Sequence, residues 1–220
     1  MEKQKILLYG IGSLGEKIVE YNKRDKMYDI VAFVDDKKGV EPTFCGLPVI
    51  NYDTCKKQFD KSEYKIFVSI GYVRCNYYRE LICKRVVADG YELINYVSPN
   101  SICFDNVLVG KNILVCDNVF VGHGSKIHDG VILSVGTTLS HENIVEDYTF
   151  ISSCVAFGGH AHVKNNCFVG LHSTVRDAVV IEEYNIVGSG TNVIKSTLPN
   201  SVTVGNPGKS VVKDTMNMSI

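Results

Sequence analysis

Residues 121–145 read VGHGSKIHDGVILSVGTTLSHENIV, and every sixth position in this stretch is a branched apolar residue. The same spacing runs from Val97 to Val193 without a change of phase. A small residue often follows the apolar one, as Gly122 follows Val121. An α-helix would place apolar residues three and four positions apart, which this stretch does not sustain. The pattern therefore predicts β-structure built from units of six residues.

A unit of six residues with one large apolar side chain is typical of a parallel β-helix. Each short strand points that side chain inward and ends at a tight turn, and three units close a triangular coil of eighteen residues. Coils stack through backbone hydrogen bonds, so residues eighteen apart lie above one another. We expect residues 95–220 to form an all-β domain of such coils, uninterrupted by a long loop, with a C-terminal tail.

Residues 1–94 have the pattern of a Rossmann-like α/β domain. The run Gly10-Ile11-Gly12-Ser13-Leu14-Gly15 lies between an apolar stretch and a helical one, and Asp35-Asp36 follows about twenty residues later. In a βαβ unit, such glycines let the backbone approach phosphate, and the acid meets a ribose hydroxyl. The predicted elements are a strand at 5–9, a helix at 16–24, strands at 29–34 and 64–70, and a helix at 79–90.

Composition narrows the possible functions. The chain has 220 residues, 23 basic and 24 acidic side chains and a net charge of -1, without the basic cluster of a nucleic-acid-binding protein. The apolar N-terminal stretch is too short for a membrane span or a signal-peptide core, so we expect no membrane insertion and a cytoplasmic location. The 8 cysteines show no C-x-x-C spacing, which argues against structural zinc.

All 6 histidines lie in the predicted β-helix. His123 and His141 are eighteen residues apart, as are Glu142 and His160, so these four side chains should meet on one edge of the coils. Ionisable side chains gathered in one place are costly unless they serve a purpose, and such clusters mark functional sites. The spacing therefore predicts a site at this edge.

Both halves of the chain resemble the bacterial sugar O-/N-acyltransferases, which are trimeric enzymes with left-handed β-helices of hexapeptide repeats. The group includes sialic acid O-acetyltransferases and the N-acetyltransferases of UDP-4-amino sugars. Matching landmarks are Phe33-Val34-Asp35-Asp36, Gly46-Leu47-Pro48-Val49, Val68-Ser69-Ile70-Gly71 and Val204-Gly205-Asn206-Pro207-Gly208-Lys209, where Gly208 replaces the usual Ala.

The resemblance implies a reaction and a set of site residues. It implies acetyl transfer from acetyl-CoA to a sugar, most simply the 4-amino group of a UDP- or dTDP-sugar, with His141 as general base and Glu142 as the group that orients or charges it. For acetyl-CoA it implies contacts with Ser152, Gly158, Gly159, Leu171, Gly188, Ser189 and Lys209. For the nucleotide sugar it implies contacts with Gly10, Gly12, Ser13, Asp35, Asp36, Ile70 and Gly71, and we add His123 and His160.

Further expectations follow from the same family. They are a homotrimer, direct transfer without an acyl-enzyme, backbone amides that hold the oxyanion, and no metal. The family's N-acetyltransferases have a second histidine nine residues after the catalytic one. That position is Phe150 here, so the cofactor contact expected of that histidine must be made differently or by His123 or His160.

Other interpretations remain open at the level of sequence. O-acetylation of a sialic-acid-like sugar would use the same fold and base. His123, His128 and His141 loosely resemble the metal ligands of γ-class carbonic anhydrases, which lack the N-terminal domain. A trimeric, non-enzymatic scaffold with a nucleotide-sensing domain would bind no CoA and would not depend on His141. An NAD-dependent oxidoreductase would need a second catalytic domain, which a β-helix does not supply.

Overall fold

A computed structural model describes residues 3–37 and 39–218, which divide into two compact units. The first contains the described residues up to Gly71 together with Leu81–Ile94, and the second contains Tyr72–Glu80 and the described residues from Asn95 onward. The division into domains at residues 1–94 and 95–220 stays a prediction, and the structure groups the short segment Tyr72–Glu80 with the second unit.

The first unit contains a five-stranded sheet in the order β3-β4-β2-β1-β5. Its elements are β1 (Lys5–Tyr9), α1 (Ser13–Asp25), β2 (Asp29–Val34), β3 (Thr43–Phe44), β4 (Leu47–Ile50), α2 (Tyr52–Gln58), β5 (Lys65–Val68) and α3 (Tyr77–Ala88), whose first turn is grouped with the second unit. Strand β1 pairs in parallel with both β2 and β5, and its apolar residues Ile6, Leu7 and Leu8 are fully buried. The predicted βαβ unit is confirmed.

The second unit contains three parallel sheets of short strands, here called the first, second and third faces. The first face has β6 (Tyr96–Val97), β8 (Leu114–Val115), β11 (Ile132–Leu133), β14 (Phe150–Ile151), β17 (Phe168–Val169) and β20 (Ile186–Val187). The second face has β7 (Ile102–Cys103), β9 (Phe120–Val121), β12 (Thr138–Leu139), β15 (Ala156–Phe157), β18 (Thr174–Val175) and β21 (Asn192–Val193). The third face has β10 (Lys126–Ile127), β13 (Ile144–Val145), β16 (His162–Val163) and β19 (Val180–Ile181).

The coil register repeats every eighteen residues, as the sequence predicts. Leu133 pairs with Ile151 on the first face, and Leu139 pairs with Phe157 on the second. The inward apolar residues from Val115 to Val193 are at most 3% exposed. Because each coil repeats the same trace, residues eighteen apart form continuous columns along the β-helix.

The phase breaks once, at the first coil. Leu108 bridges Ile127, so the register there is nineteen residues instead of eighteen. Val109, which the six-residue count places inside the coil, is 49% exposed as a result. A slip of one residue turns a strand's side chains to the opposite face. The expectation of an unbroken phase from residue 97 to 193 is therefore wrong at this position.

Buried polar residues at the turns satisfy backbone carbonyls. Thr137 Oγ1 donates to the Ser152 carbonyl at 3.1 Å, Asn143 Nδ2 to Gly158 at 2.7 Å, and Thr149 Oγ1 to Lys164 at 2.9 Å. Each bond spans fifteen residues and therefore ties one coil to the next. A buried carbonyl without a donor would cost about 1–3 kcal/mol, so these small polar side chains help to fix the turns.

The segment Tyr72–Glu80 packs on the β-helix. The Tyr72 ring lies 5.1 Å from Phe150 and 4.9 Å from Phe168, both outward residues of the first face. Arg79 is fully buried, and its guanidinium donates to the carbonyls of Gly130 at 2.9 Å and Tyr148 at 3.1 Å. This face is therefore buried on both sides, which explains its large outward side chains.

The chain after β21 adds two more strands at the end of the first face. Strand β22 (Ser201–Val204) adds in parallel to β20, and β23 (Lys209–Val212) pairs with β22 in the antiparallel sense. A short 3₁₀ helix, Thr215–Asn217, follows. None of the described helices is long and apolar enough to cross a membrane.

Candidate active site

The turns that join the second face to the third, at residues 122–125, 140–143 and 158–161, form what we call the histidine edge. Glu142 and His160 occupy the left-handed backbone region in these turns, with φ of 52° and 58°. The Glu142 N–H donates to the His123 carbonyl at 2.8 Å, and the His160 N–H donates to the His141 carbonyl at 3.0 Å. The coil ladder thus fixes the backbone from which all four side chains project.

The structure brings the predicted histidines together. The rings of His123 and His141 are stacked, with centroids 5.7 Å apart and an angle of 12° between their planes. The ring of His160 meets that of His141 edge-on at 5.1 Å. His141 is half-buried, whereas His123 and His160 are exposed. His141 is therefore the central and least solvated imidazole of the group.

The carboxylate of Glu142 pairs with His160, whose Nδ1 lies 2.8 Å from Glu142 Oε2. The family resemblance instead implies that Glu142 orients or charges His141, and that role stays a prediction. Both members of the pair are well exposed, with side-chain exposures of 59% and 45%. Ligand atoms of His141, Glu142 and His160 nevertheless all lie within 4.8 Å of one another. A small rotation of the Glu142 side chain would therefore move its carboxylate from the imidazole of His160 to that of His141.

Two glycines leave the space that these side chains occupy. A Cβ on Gly159 would lie 2.4 Å from Cε1 and Nε2 of His141, and a Cβ on Gly124 would lie 2.7 Å from Cγ of Glu142. Gly159 continues the column of His123 and His141, so a third side chain there would displace the imidazole. The sequence analysis nominates Gly159 for acetyl-CoA, and its geometry supplies a second reason for glycine at this position.

The backbone amides beside His141 are largely engaged. The Gly159 N–H donates to Asp177 Oδ1 at 2.7 Å, and the N–H groups of Glu142 and His160 belong to the coil ladder. These amides are therefore not free donors for an oxyanion. The expectation that nearby amides hold the oxyanion stays a prediction.

The residues nominated for acetyl-CoA fall on two edges and in the tail. Gly158 and Gly159 lie on the histidine edge. Ser152, Leu171, Gly188 and Ser189 lie in the turns between the first and second faces, and Lys209 begins β23. Leu171 is 46% exposed, whereas a Cβ on Gly188 would meet Val204 at 2.8 Å. The outward residues of the second face lie between the two edges.

Phe150 lies elsewhere on the β-helix. It points outward from the first face, is 9% exposed, and is covered by Tyr72. Its partner Phe168 stacks on it at 5.6 Å. This position therefore belongs to an apolar layer in this chain and does not belong to the histidine edge.

In the first unit, the nominated nucleotide residues follow the carboxyl ends of β1, β2 and β5. Since these strands are parallel, their ends meet at the same edge of the sheet, where ligands bind in such folds. Gly10 has φ of 112°, so the strand-to-helix turn requires glycine there, and a Cβ on Gly15 would lie 2.7 Å from Phe33, so the close packing of α1 on β2 requires glycine at that position. Gly12 caps α1 without a side-chain hydrogen bond. Ser13 begins α1, and Ile70 and Gly71 follow β5.

The two acidic residues that should meet a ribose are already hydrogen-bonded. Asp35 accepts from the backbone N–H of Ile11 at 3.1 Å and of Lys37 at 2.8 Å. Asp36 Oδ2 accepts from the Tyr9 hydroxyl at 2.6 Å and from Arg85 Nη1 at 2.5 Å. The sequence analysis missed these partners, because nothing in the βαβ pattern indicates which side chains of distant elements face Asp36.

The electrostatics of Asp36 follow from these contacts. Burial alone would raise the pKa of the Asp36 carboxyl, but hydrogen bonds from Tyr9 and Arg85 and the Arg85 charge outweigh it and leave that pKa below its usual value. Burial, together with the Asp36 carboxylate, raises the pKa of Tyr9 far above its usual value. The guanidinium of Arg85 also lies 4.3 Å from the centre of the Tyr52 ring. Asp36 is therefore a fixed carboxylate at neutral pH.

Two comparisons of sequence found matches that cover parts of the chain. Residues 5–86 match the model of the PglD N-terminal domain. A Schizosaccharomyces pombe protein described as a candidate acetyltransferase is 31% identical over 67 residues, which is 30% of this chain and 32% of that protein. The chain thus matches about a third of the length of that relative.

Comparisons of structure cover nearly the whole chain. The acetyltransferase domain of PglB from Neisseria gonorrhoeae has a TM-score of 0.85 at 20% identity, over 95% of this chain and 100% of that one. PerB from Caulobacter crescentus, solved with CoA and GDP-perosamine, has a TM-score of 0.84 at 22% identity, over 94% and 97%. WeeI from Acinetobacter baumannii has a TM-score of 0.79 at 22% identity, over 94% and 99%.

These likenesses confirm the predicted fold class, an α/β N-terminal domain followed by a left-handed parallel β-helix. They also confirm the resemblance that the sequence motifs predict. Residues 5–86 therefore match the PglD N-terminal domain, and the chain has the fold of the PglB acetyltransferase domain and of PerB.

Proposed function

We propose that this protein transfers an acetyl group from acetyl-CoA to the 4-amino group of a nucleotide-linked amino sugar used in bacterial surface glycans. The observation that carries the proposal is the cluster of His141, Glu142 and His160 on one edge of a β-helix of this fold. Related folds supply the ligands: the PglB domain was solved with acetyl coenzyme A, and PerB was solved with CoA and GDP-perosamine.

His141 is the general base of the proposed reaction. The sugar amine attacks the thioester carbonyl, and His141 accepts the proton that the nitrogen loses as the new C–N bond forms. The tetrahedral intermediate then expels the CoA sulfur, which takes up the proton from the imidazolium. An imidazole suits this task because it can accept and release a proton under physiological conditions, and His141 is half-buried beside two other imidazoles.

Glu142 and His160 assist the base in this proposal. The Glu142 carboxylate is within reach of both imidazoles and stabilises the positive charge that forms on His141. His160 holds the carboxylate at 2.8 Å between turnovers, and His123 stacks on His141 and fixes its ring plane. His123 and His160 also line the place where the acceptor sugar approaches the base.

The first unit binds the nucleotide part of the acceptor. The turn at Gly12 and the N-terminus of α1 at Ser13 present backbone N–H groups to phosphate, as in other βαβ units, and Gly10, whose own N–H donates to the Val34 carbonyl at 2.8 Å, shapes the turn beside the phosphate. Ile70 and Gly71 border the same sheet edge. Asp35 and Asp36 already accept hydrogen bonds from the protein. In this proposal they therefore contribute negative charge and a fixed side of the binding site, and they do not act as free acceptors for the ribose.

Acetyl-CoA lies along successive coils in this proposal. It contacts the small residues of the two edges that border the second face, and the exposed Lys209 meets one of its phosphates. The nominated contacts are Ser152, Gly158, Gly159, Leu171, Gly188, Ser189 and Lys209. The protein works as a homotrimer in the cytoplasm, where acetyl-CoA is made available, and transfer is direct.

The test is a panel of acceptors assayed for thiol release from acetyl-CoA. Nucleotide sugars with a 4-amino group should release CoA, whereas analogues with a 4-hydroxyl should not. His141→Ala should lose roughly a hundred- to ten-thousand-fold in kcat while its circular dichroism stays unchanged. Release only with hydroxylated, sialic-acid-like sugars would replace N-acetylation by O-acetylation. Full activity of His141→Ala would overturn the assignment of the base.

A further inference from the structure

We infer that His141, Glu142 and His160 also form a binding site for one divalent transition-metal ion of the zinc class, which acts as an inhibitor and not as a cofactor. Metal binding follows from the side chains alone, and only its inhibitory effect rests on the proposed function. The metal site coincides with the proposed active site. The metal ion would compete with the proton for the imidazole nitrogen of His141.

The geometry is close to what zinc requires. One ligand atom from each of the three side chains lies within 4.8 Å of the others. Zinc bonds of about 2.0–2.2 Å place tetrahedral ligands about 3.3 Å apart. The widest pair of ligand atoms must therefore close by about 1.5 Å at most, and Glu142 Oε2 and His160 Nδ1, which are 2.8 Å apart, must separate by about 0.5 Å. Glu142 and His160 are 45% and 59% exposed, and their side chains are therefore free to make this adjustment.

The donor set selects the class of metal. Two imidazole nitrogens and one carboxylate oxygen suit zinc and its first-row neighbours, whereas magnesium and calcium take oxygen ligands. Three protein ligands also leave one position open for water, as in catalytic zinc sites. The Glu142 carboxylate offsets part of the charge of the ion, which two imidazoles alone would not do.

Neighbouring residues fix the position of His141, the central residue of the three-ligand cluster. His123 stacks on the His141 ring, with the two ring planes 12° apart. Gly159 also packs against the His141 ring, where a Cβ would lie 2.4 Å from Nε2. A second pair, His162 Nε2 and Glu146 Oε1 at 2.6 Å, has no third ligand grouped with it among the described residues. The three-ligand arrangement thus distinguishes the histidine edge.

The consequence for the reaction is direct. A metal ion occupies the lone pair with which His141 would accept a proton, so the metal-bound enzyme cannot use its base. Removal of the ion by a chelator restores the lone pair. Zinc should therefore lower kcat reversibly.

The experiment titrates ZnCl₂ into the full chain by isothermal titration calorimetry, without substrates. We expect the titration to show one saturable site for Zn²⁺. When Co²⁺ is added instead, we expect the visible absorption spectrum of a tetrahedral complex with nitrogen and oxygen ligands. His160→Asn should weaken Zn²⁺ binding by more than the roughly 10- to 100-fold that loss of a second-shell contact costs. Asparagine tolerates the left-handed backbone of His160, which has φ of 58°.

His172→Asn is the matched control, because His172 is also exposed and has φ of 53°. It should bind Zn²⁺ as the unmodified chain does. Glu142→Gln provides a second measurement if His160→Asn does not fold. Unchanged affinity in the folded variant, or no saturable heat with the unmodified chain, overturns the site. Zinc binding without any acetyl transfer would leave the site standing and remove the proposed function instead.

Discussion

Gly159 lies directly against the imidazole of His141, so that a Cβ there would come within 2.4 Å of two ring atoms. Gly159 lies in the same column as His123 and His141, and Asp177, which accepts a hydrogen bond from the Gly159 N–H, follows it one coil later. The missing side chain at Gly159 leaves the room that the His141 imidazole occupies.

Gly159→Ala should therefore impair the site without unfolding the coil. The added methyl forces the His141 ring to rotate, and misplacement of a catalytic group by about 1 Å can cost about a hundred-fold in rate. We expect a comparable loss of kcat, measured as CoA release, with an unchanged thermal midpoint. Ser153→Ala, at the corresponding turn position on the edge between the first and second faces, is the control. Wild-type kcat in Gly159→Ala would show that His141 does not need its present orientation.

Arg79 should be the main anchor of Tyr72–Glu80. Arg79→Met removes a fully buried guanidinium and leaves the carbonyls of Gly130 and Tyr148 without their donor. Because an unsatisfied buried carbonyl costs about 1–3 kcal/mol, we expect a loss of about 2–4 kcal/mol in the free energy of unfolding, measured by urea titration. Arg74→Met, an exposed neighbour, should change it by less than about 0.5 kcal/mol. Equal effects of the two variants would contradict this role.

Asp147 should make the fold less stable as the pH rises, which is the opposite of what most carboxyl groups do. Burial and the nearby Asp129 charge raise the pKa of Asp147 above its ordinary 3.8, despite the hydrogen bond from the Asp129 N–H at 3.0 Å. A raised pKa means that the fold favours the protonated acid, so this contribution is present below pH 3.8 and is lost as the pH rises through the folded pKa. Asp147→Asn should thus raise the thermal midpoint at pH 7 but not at pH 3. A midpoint lowered at pH 7 would reverse the sign.

The register slip at the first coil predicts different tolerance at two equivalent positions. Val109 is 49% exposed, whereas Val121 is fully buried. Val109→Ser should change the free energy of unfolding by less than about 0.5 kcal/mol, and Val121→Ser should cost about 2 kcal/mol or more, because it buries a hydroxyl and leaves a cavity. Similar losses in both variants, measured by urea titration, would show that the phase is continuous after all.

The coil and the histidine column could be predicted from the sequence because both depend on one spacing. Once the period is eighteen, the stacking of His123 on His141 and the approach of Glu142 to His160 follow from addition. The strands Lys5–Tyr9 and Asp29–Val34 likewise match their predicted bounds, and the second predicted helix begins two residues earlier, at Tyr77.

Features that depend on distant parts of the chain could not be predicted in this way. The short hairpin of β3 and β4 and the helix Tyr52–Gln58 lack a strong period of their own. The cover of Tyr72 over Phe150 and the bonds from Tyr9 and Arg85 to Asp36 depend on side chains brought together by the fold. Glu142 pairs with His160 and not with His141 because of its side-chain rotamer. The repeat determines where the backbone of Glu142 lies, but it does not determine that rotamer.

The eighteen-residue register also limits how this gene can change in length. Duplication or loss of a full coil would lengthen or shorten the rod and leave every column aligned, whereas insertion of a single hexapeptide would rotate all later residues onto the next face. An insertion between His123 and His141 would move His123 off the edge that carries His141 and Glu142, and an insertion between Glu142 and His160 would leave His160 on a different edge from them. Selection on the site should therefore tolerate size variation only at the ends of the rod or in whole turns of it.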